Sequence, residues 1–428
     1  MAERMKPSGI DWIGDIPASW KRSKVKFCFS LVNGSTPESS DYDCWDGDIK
    51  WITPADMSDT GTISHGERLI TKYGYNSCGT TLLPIGSIVI SSRAPIGKIN
   101  ITTAELCTNQ GCKSLIRTGD NRYFYYLFLA GQHELSLLGR GTTFLELSTY
   151  DLNGFGLVIP AEDEQKAIAD FLDKECAQID SIAADLGKQI ELLQQYKRSL
   201  ITETVTKGLD KSVPIKDSGV EWIGEIPEHW RLKRLKYIAK LKTGTTPPGN
   251  EGINYDENGI NWFTPSDFLP NMQLDTSEKY IDRETIRYAN IQTYPRGSVL
   301  LVAIGATVGK IGISKNNAYS NQQITAVIPQ HISGNYLLYY LASKSPYIKD
   351  NALYTTLPII NNSYLQNITI VVPPTTEQEK IVEFLNRKCS IIDELIEDKN
   401  KLLLRLQQHK KSLIYEYVTG KKRVKEVQ

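Results

Sequence analysis

Two stretches of the chain repeat apolar side chains at alternating steps of four and three residues. From Ile168 the walk meets Leu172, Ile179, Ile182, Leu186, Leu193, Tyr196 and Leu200, and only Glu175 and Gln189 break it. From Ile381 it meets Leu385, Ile392, Leu395, Leu402, Leu406 and Leu413, and Lys388, Lys399 and His409 break it. An apolar position every 3.5 residues is a heptad seam on a long helix. Over about 45 residues, at about 1.5 Å per residue, each helix would be roughly 65 Å long. Pro160 and Pro373-Pro374 precede the two stretches, and Gly208 and Gly420 follow them, where a C-terminal cap belongs. Gly187 interrupts the first; an internal glycine costs about 1 kcal/mol, and a local bend is expected there.

The rest of the chain has another texture. Gly, Pro, Thr, Ser and Tyr are frequent, and short apolar runs such as Ser87-Ile88-Val89-Ile90 and Val299-Leu300-Leu301-Val302 lie between turn signals. These regions read as mixed, mostly β domains. They also repeat. KPSGIDWIGDIPASWKRSKVKF at 6–27 answers KDSGVEWIGEIPEHWRLKRLKY at 216–237, with ten of 22 positions identical. Gly34-Ser35-Thr36-Pro37 answers Gly244-Thr245-Thr246-Pro247, and Trp51-Ile52-Thr53-Pro54-Ala55-Asp56 answers Trp262-Phe263-Thr264-Pro265-Ser266-Asp267. Gly97-Lys98 pairs with Gly309-Lys310, Asn109-Gln110 with Asn321-Gln322, and Glu164-Gln165 with Glu377-Gln378. The offset drifts only from 210 to 213, so a whole domain plus its helix has been duplicated. The division is 1–160 (first domain), 161–208 (first helix), 209–373 (second domain) and 374–428 (second helix). A lone heptad helix would suggest a homodimer zipper. Two copies in one chain allow an intramolecular pair, and the intervening domain must return the chain. The expected fold class is α+β: two similar mostly-β domains separated by two long helices packed as an antiparallel coiled coil, with a pseudo-two-fold axis.

Composition narrows the function by exclusion. Basic and acidic side chains number 49 each, so any surface for a polyanion must be local. The seven cysteines form no CxxC pair, and with five histidines they offer no zinc spacing. Free thiols point to a reducing compartment, and no apolar run reaches the length of a membrane span, so a cytoplasmic protein is expected. Phosphate-loop, dinucleotide, zinc-protease and nucleophile-elbow motifs are all missing. Glu397-Asp398-Lys399 looks like a nuclease fragment, but it lies on the heptad helix, where charge runs are routine. No catalytic residue and no metal ligand is assigned.

The order of these parts resembles the specificity (S) subunit of type I restriction-modification systems. The marks are SGIDWIGDIPASW and SGVEWIGEIPEHW, the GxTP turns, the Asn-Gln pairs, EQKAIADFLD and EQEKIVEFLN opening the helices, and QYKRSLITETVTKGL and QHKKSLIYEYVTGKK closing them. The resemblance implies two target recognition domains on double-stranded DNA, and spacer helices that dock two methyltransferase (M) subunits. Restriction (R) subunits would join through the complex. It places S-adenosylmethionine and ATP on those partners and no cofactor here. A methylation-only system and a coiled-coil protein adaptor are the alternative readings.

For DNA reading, features shared by both halves should be scaffold or phosphate contacts, which position without specifying. Lys98 and Lys310 are the shared phosphate candidates. Asn109, Gln110, Asn321 and Gln322 could reach base edges or bond within turns. Base readers should come from loops that differ. In the first domain these offer Arg68, Lys72, Tyr73, Arg93 and Arg140. In the second they offer Lys279, Arg283, Arg287, Lys315, Asn316 and Asn317. The target would be asymmetric and bipartite, with an unread gap.

Overall fold

The computed structural model describes residues 4–93, 95–140, 145–250, 252–254, 259–354 and 357–424. The chain divides into two compact units, Met1–Leu186 with Leu402–Gln428, and Gly187–Lys401.

In the first unit a five-stranded sheet has the order Ser30–Asn33, Cys112–Ile116, Ile88–Ser91, Ile99–Thr102, Thr60–Ile63. All pairs are antiparallel except the last. Its central strand, Ile88–Ser91, is buried along its whole length, which is why it reads as a continuous apolar run instead of an alternating one. The helix Arg122–Ala130, with sequence RYFYYLFLA, closes one face and buries six consecutive aromatic or aliphatic side chains. A smaller sheet joins Cys107–Thr108, Trp45–Ile52 and Arg68–Ile70.

The second unit repeats this plan. Its five strands run Ala239–Thr243, Ile324–Pro329, Val299–Val302, Ile311–Ser314, Gln273–Leu274, again with only the last pair parallel. Its smaller sheet joins Ile253–Asn254, Tyr280–Ile281, Ile260–Phe263 and Tyr319–Ser320.

The duplicated motifs at 6–27 and 216–237 become hairpins and their exits. Strands Met5–Pro7 and Asp15–Pro17 pair, as do Ile215–Asp217 and Glu225–Pro227. Gly14 (φ +68°) and Gly224 (φ +69°) occupy left-handed turn positions that favour glycine. The second tryptophan of each motif is buried and gives its indole N–H to the opening turn of the long helix: Trp20 to Glu164 at 3.0 Å, Trp230 to Glu377 at 2.9 Å. The neighbouring glutamines fold back onto their prolines, Gln165 to the Pro160 carbonyl and Gln378 to the Pro373 carbonyl, at 3.0 and 2.9 Å. The repeated Glu-Gln pair is therefore a helix-start device.

The long helices are Glu162–Lys207 and Thr375–Val418. The first is continuous through Gly187. The second ends at Val418, and Gly208 (φ +77°) and Gly420 (φ +72°) follow the two helices in the left-handed conformation. Within each unit the helix segments pack antiparallel. In the first, Phe171 and Tyr417 rings lie 4.4 Å apart and Lys410 pairs with Asp180 at 2.7 Å. In the second, Lys399 reaches Gln189 and Lys197 reaches Asp393, both at 2.6 Å.

The seam corrects the sequence reading by one residue at alternate positions. Ile182 is 49% exposed, and Leu395 and Leu402 are each 44% exposed, so these three lie outside the seam. The inward positions are Leu172, Cys176, Ile179, Ala183, Leu186, Ile190, Leu193, Lys197 and Leu200 on the first helix. On the second they are Leu385, Cys389, Ile392, Ile396, Lys399, Leu403, Leu406, Lys410 and Leu413. Each helix opens with two steps of four, Ile168-Leu172-Cys176 and Ile381-Leu385-Cys389, before heptads begin. A 4-4-3 opening follows the natural 3.6-residue turn where the helix packs on a globular domain. It also shifts every later heptad.

Candidate nucleic-acid interface

In each unit four motif pieces far apart in sequence meet around the Asn-Gln turn. A Cβ on Gly34 or Gly244 would overlap the carbonyl of Asn109 or Asn321, so only glycine lets those backbones touch. The Thr36 hydroxyl bonds Gln110, and Thr246 bonds Gln322. Asn109 accepts the Gly111 N–H through its own side chain at 2.9 Å, as Asn321 accepts that of Gln323 at 3.1 Å. The Trp-x-Thr-Pro-x-Asp turn closes the frame. Asp56 accepts the backbone N–H groups of Thr53 and Glu67, at 2.7 and 2.9 Å, and Asp267 accepts those of Thr264 and Glu278, at 2.6 and 2.7 Å. The Asn side chains are thus spent on the turn, while Gln110 and Gln322 are exposed.

Lys98 belongs to the same frame. Its ammonium donates to the carbonyls of Pro54 and Met57 at 3.0 and 2.7 Å and is half-buried. Lys310 is exposed, so the shared lysines are not used alike. Lys113 is a further buried cation, bonded to Asn33 and Thr149. Burial pushes its pKa down, partly offset by the nearby Glu146 carboxylate.

Structural equivalence re-sorts the other candidates. Arg68 faces Trp51 across the small sheet, and the Lys279 carbonyl takes the Trp262 N–H, so Arg68 and Lys279 occupy one position. Lys72 and Arg283 likewise each open a six-residue helix, after Thr71 and Asp282. These four lie in segments whose sequences differ between the halves, yet they are shared cations and not distinguishing ones. The constant offset of 211 from Trp51/Trp262 carries the signal that finds them. Tyr73, Arg287 and Tyr288 are exposed on the same short helices.

The rims differ sharply elsewhere. Arg93 and Arg140 both bridge Glu146 on adjoining backbone; Arg93 pairs with that carboxylate at 3.3 Å and Arg140 with Asp151 at 3.0 Å. In the second unit Ile359 bridges Ile304 and pairs with Leu353. An ionic group has been exchanged for an apolar one on the same backbone frame. Lys315 is held by Asp275 at 3.0 Å, Asn317 accepts the Arg296 N–H at 3.2 Å, and Asn316 is exposed.

No group of three or more His, Cys, Asp or Glu side chains that could hold a metal occurs among the described residues. No described helix is long and apolar enough to cross a membrane.

A duplicated α+β domain with a fixed turn frame and a variable rim, on a heptad helix, defines a specificity-module architecture. Residues 17–192 and 227–405 match the family described as type I restriction modification DNA specificity domain, and the chain belongs to that family. It is 27% identical over 432 residues to the type I restriction enzyme MjaIX specificity subunit of Methanocaldococcus jannaschii, covering 97% of this chain and 96% of that one. It is 23% identical to the EcoBI specificity subunit of Escherichia coli, covering 96% of this chain and 88% of that one. The fold is similar to a subunit in a solved type I R-M complex (TM-score 0.73, 16% identity, 95% and 99% of the two chains). It is also similar to the HsdS subunit from Thermoanaerobacter tengcongensis (TM-score 0.50, 16% identity, 95% and 98%).

Proposed function

We propose that each unit reads one half of an asymmetric bipartite DNA target, and that the chain directs methyltransferase and restriction subunits to it. The observation that carries this reading is the contrast within the duplication: one turn frame, two rims. Residues common to both frames, among them Arg68/Lys279 and Lys72/Arg283, suit phosphate contacts, which fix register without specifying sequence. Arg93 and Arg140 suit guanine in the first half-site; the Arg93–Glu146 pair is exposed on both sides and worth little, so a base edge can replace that carboxylate, and Arg140 is itself exposed although its partner Asp151 is buried. Ile304, Leu353 and Ile359 suit a thymine methyl in the second.

The long helices serve the partners. Leu192 and Tyr196, and Ile391 and Leu395, are one turn apart on their helices and 62, 57, 49 and 44% exposed. Such apolar outer residues fit docking of M subunits, two per chain, with R subunits completing the complex. S-adenosylmethionine and ATP then belong to the partners, and the chain itself performs no chemistry.

Methylome sequencing of a host expressing this chain with its cognate M subunit tests the reading. Methylation at one bipartite motif, lost when the gene is deleted, is expected. Methyl transfer by the isolated chain, or a motif unchanged on its deletion, would overturn it. Plasmid restriction with and without the R subunit separates a full system from a methylation-only one.

A further inference from the structure

The frame shared by the two units is filled differently beside its tryptophan. In the first, the Trp45 ring lies 5.2 Å from that of Trp51, and the Arg68 guanidinium sits 3.4 Å over it. Trp45 pairs with Ile70 across the small sheet. In the second, Ile253 takes that place, paired with Ile281. A cavity of about 560 Å³ opens there, lined by Thr246, Asn250, Trp262, Lys279, Asn321 and Gln322 among others.

The indoles also differ. Trp51 gives its N–H to the Ser35 carbonyl at 3.0 Å. Trp262 is only 4% exposed, yet its N–H finds no hydrogen-bond partner among the described residues. A buried donor left unmet marks an acceptor that is missing. The described lining holds five carboxamides and one lysine. Carboxamides pair with nucleobase edges. The cavity also adjoins the turn that carries the variable rim: Gln323 lines it, accepts the Ala303 N–H at its carbonyl and brings its side chain to Gly305.

We propose that this cavity is a specificity pocket of the second unit, in which the Trp262 N–H and the surrounding carboxamides bind hydrogen-bond acceptors on a nucleobase edge of one half-site. The inference rests on the DNA-reading function above. In the first unit the Trp45 indole fills this place, so the pocket belongs to the second unit alone.

Trp262→Phe keeps an aromatic ring but removes the N–H together with the five-membered half of the indole; Ile253→Trp fills the cavity as the first unit does. Each variant, as full chain with the M subunit, is scored by methylome sequencing and by its melting temperature. Trp262→Phe is expected to lower discrimination at one base position of one half-site by roughly ten-fold, leaving the other half-site intact. Ile253→Trp is expected to alter the base preference at that same position. Unchanged motifs in both variants would overturn the pocket and leave an ordinary water as its occupant. Fidelity lost evenly from both half-sites would overturn it as well, since that is a stability effect. A wild-type complex methylating without sequence preference would instead sink the DNA-reading function itself.

Discussion

Tyr123 and Tyr336 each sit where three chain segments meet. Both are fully buried. The Tyr123 hydroxyl lies 3.0 Å from the carbonyls of both Val158 and Val418, and Tyr336 lies 2.9 and 3.0 Å from those of Val205 and Val371. One hydroxyl thus ties the strand leaving a domain to the end of a long helix. Tyr336→Phe, or Tyr123→Phe, leaves buried carbonyls short of a donor and should destabilise by about 1–2 kcal/mol, measured by urea unfolding. Lys344 gives a test by pH. It is 5% exposed, its ammonium lies 4.2 Å over the Trp222 ring, and burial lowers its pKa to about 8. Between pH 8 and its ordinary value of 10.5 the unfolded chain binds the proton that the folded chain has released, so stability rises with pH across that window. Lys344→Met removes this dependence. Its melting temperature relative to the parent should be highest near pH 7 and fall steadily towards pH 9.5; a constant difference would contradict the assignment. The first unit avoids the problem with Gly131, where a Cβ would meet the Trp12 ring at 2.9 Å. At this scale the repeated motifs were legible as scaffold. The fate of Lys98 was not, because a lysine after glycine reads the same whether its ammonium meets water or two carbonyls.

Helices and turns were the most legible elements, and their phase the least. Ile168, Leu172, Ile381 and Leu385 anchored the seam correctly, and the five positions that both walks share on the first helix, from Leu172 to Leu200, point inward. The alternate positions slipped because Ile182, Leu395 and Leu402 are apolar and sit next to Ala183, Ile396 and Leu403, which do the packing. Hydrophobicity alone could not choose between neighbours, since two seam positions carry Lys197 and Lys410, whose ammonium groups meet Asp393 and Asp180. A paired mutation decides the phase. Ile396→Glu puts a carboxylate into the seam and should cost about 1–3 kcal/mol. Leu395→Glu should change stability by no more than about 0.5 kcal/mol. Pull-down with the M subunit adds a second readout: Leu395→Glu should weaken assembly while leaving the melting temperature in place, as expected of a docking residue. Equal destabilisation by both substitutions would restore the original walk.

For the whole molecule, duplication sets the logic: one frame carried twice, with different rims, suits two unlike half-sites. In the proposed complex the long helices set the distance between those half-sites, and a length change should be read out on DNA. Rotation as well as rise must match. Four residues inserted in each helix between Leu186 and Ile190, and between Lys399 and Leu403, add about 6 Å, the rise of one to two base pairs. At about 100° per residue, four residues also turn the helix about 40° past a full circle. Two base pairs turn DNA by roughly 68°, at about 10.5 per turn, and one by about 34°. The insertion therefore matches one base pair better in rotation and two better in rise. It creates a second 4-4 step, which both helices already accommodate at their starts. Seven residues would preserve the heptads but add about three base pairs of rise with almost no rotation, leaving the half-sites roughly 100–120° out of phase. The four-residue variant should methylate a target with its gap lengthened by one or two base pairs and both half-sites unchanged. The seven-residue variant should lose most activity on every gap tested. Methylome mapping of the two variants decides it, since an unchanged gap in the first would remove the helices from the measurement of distance.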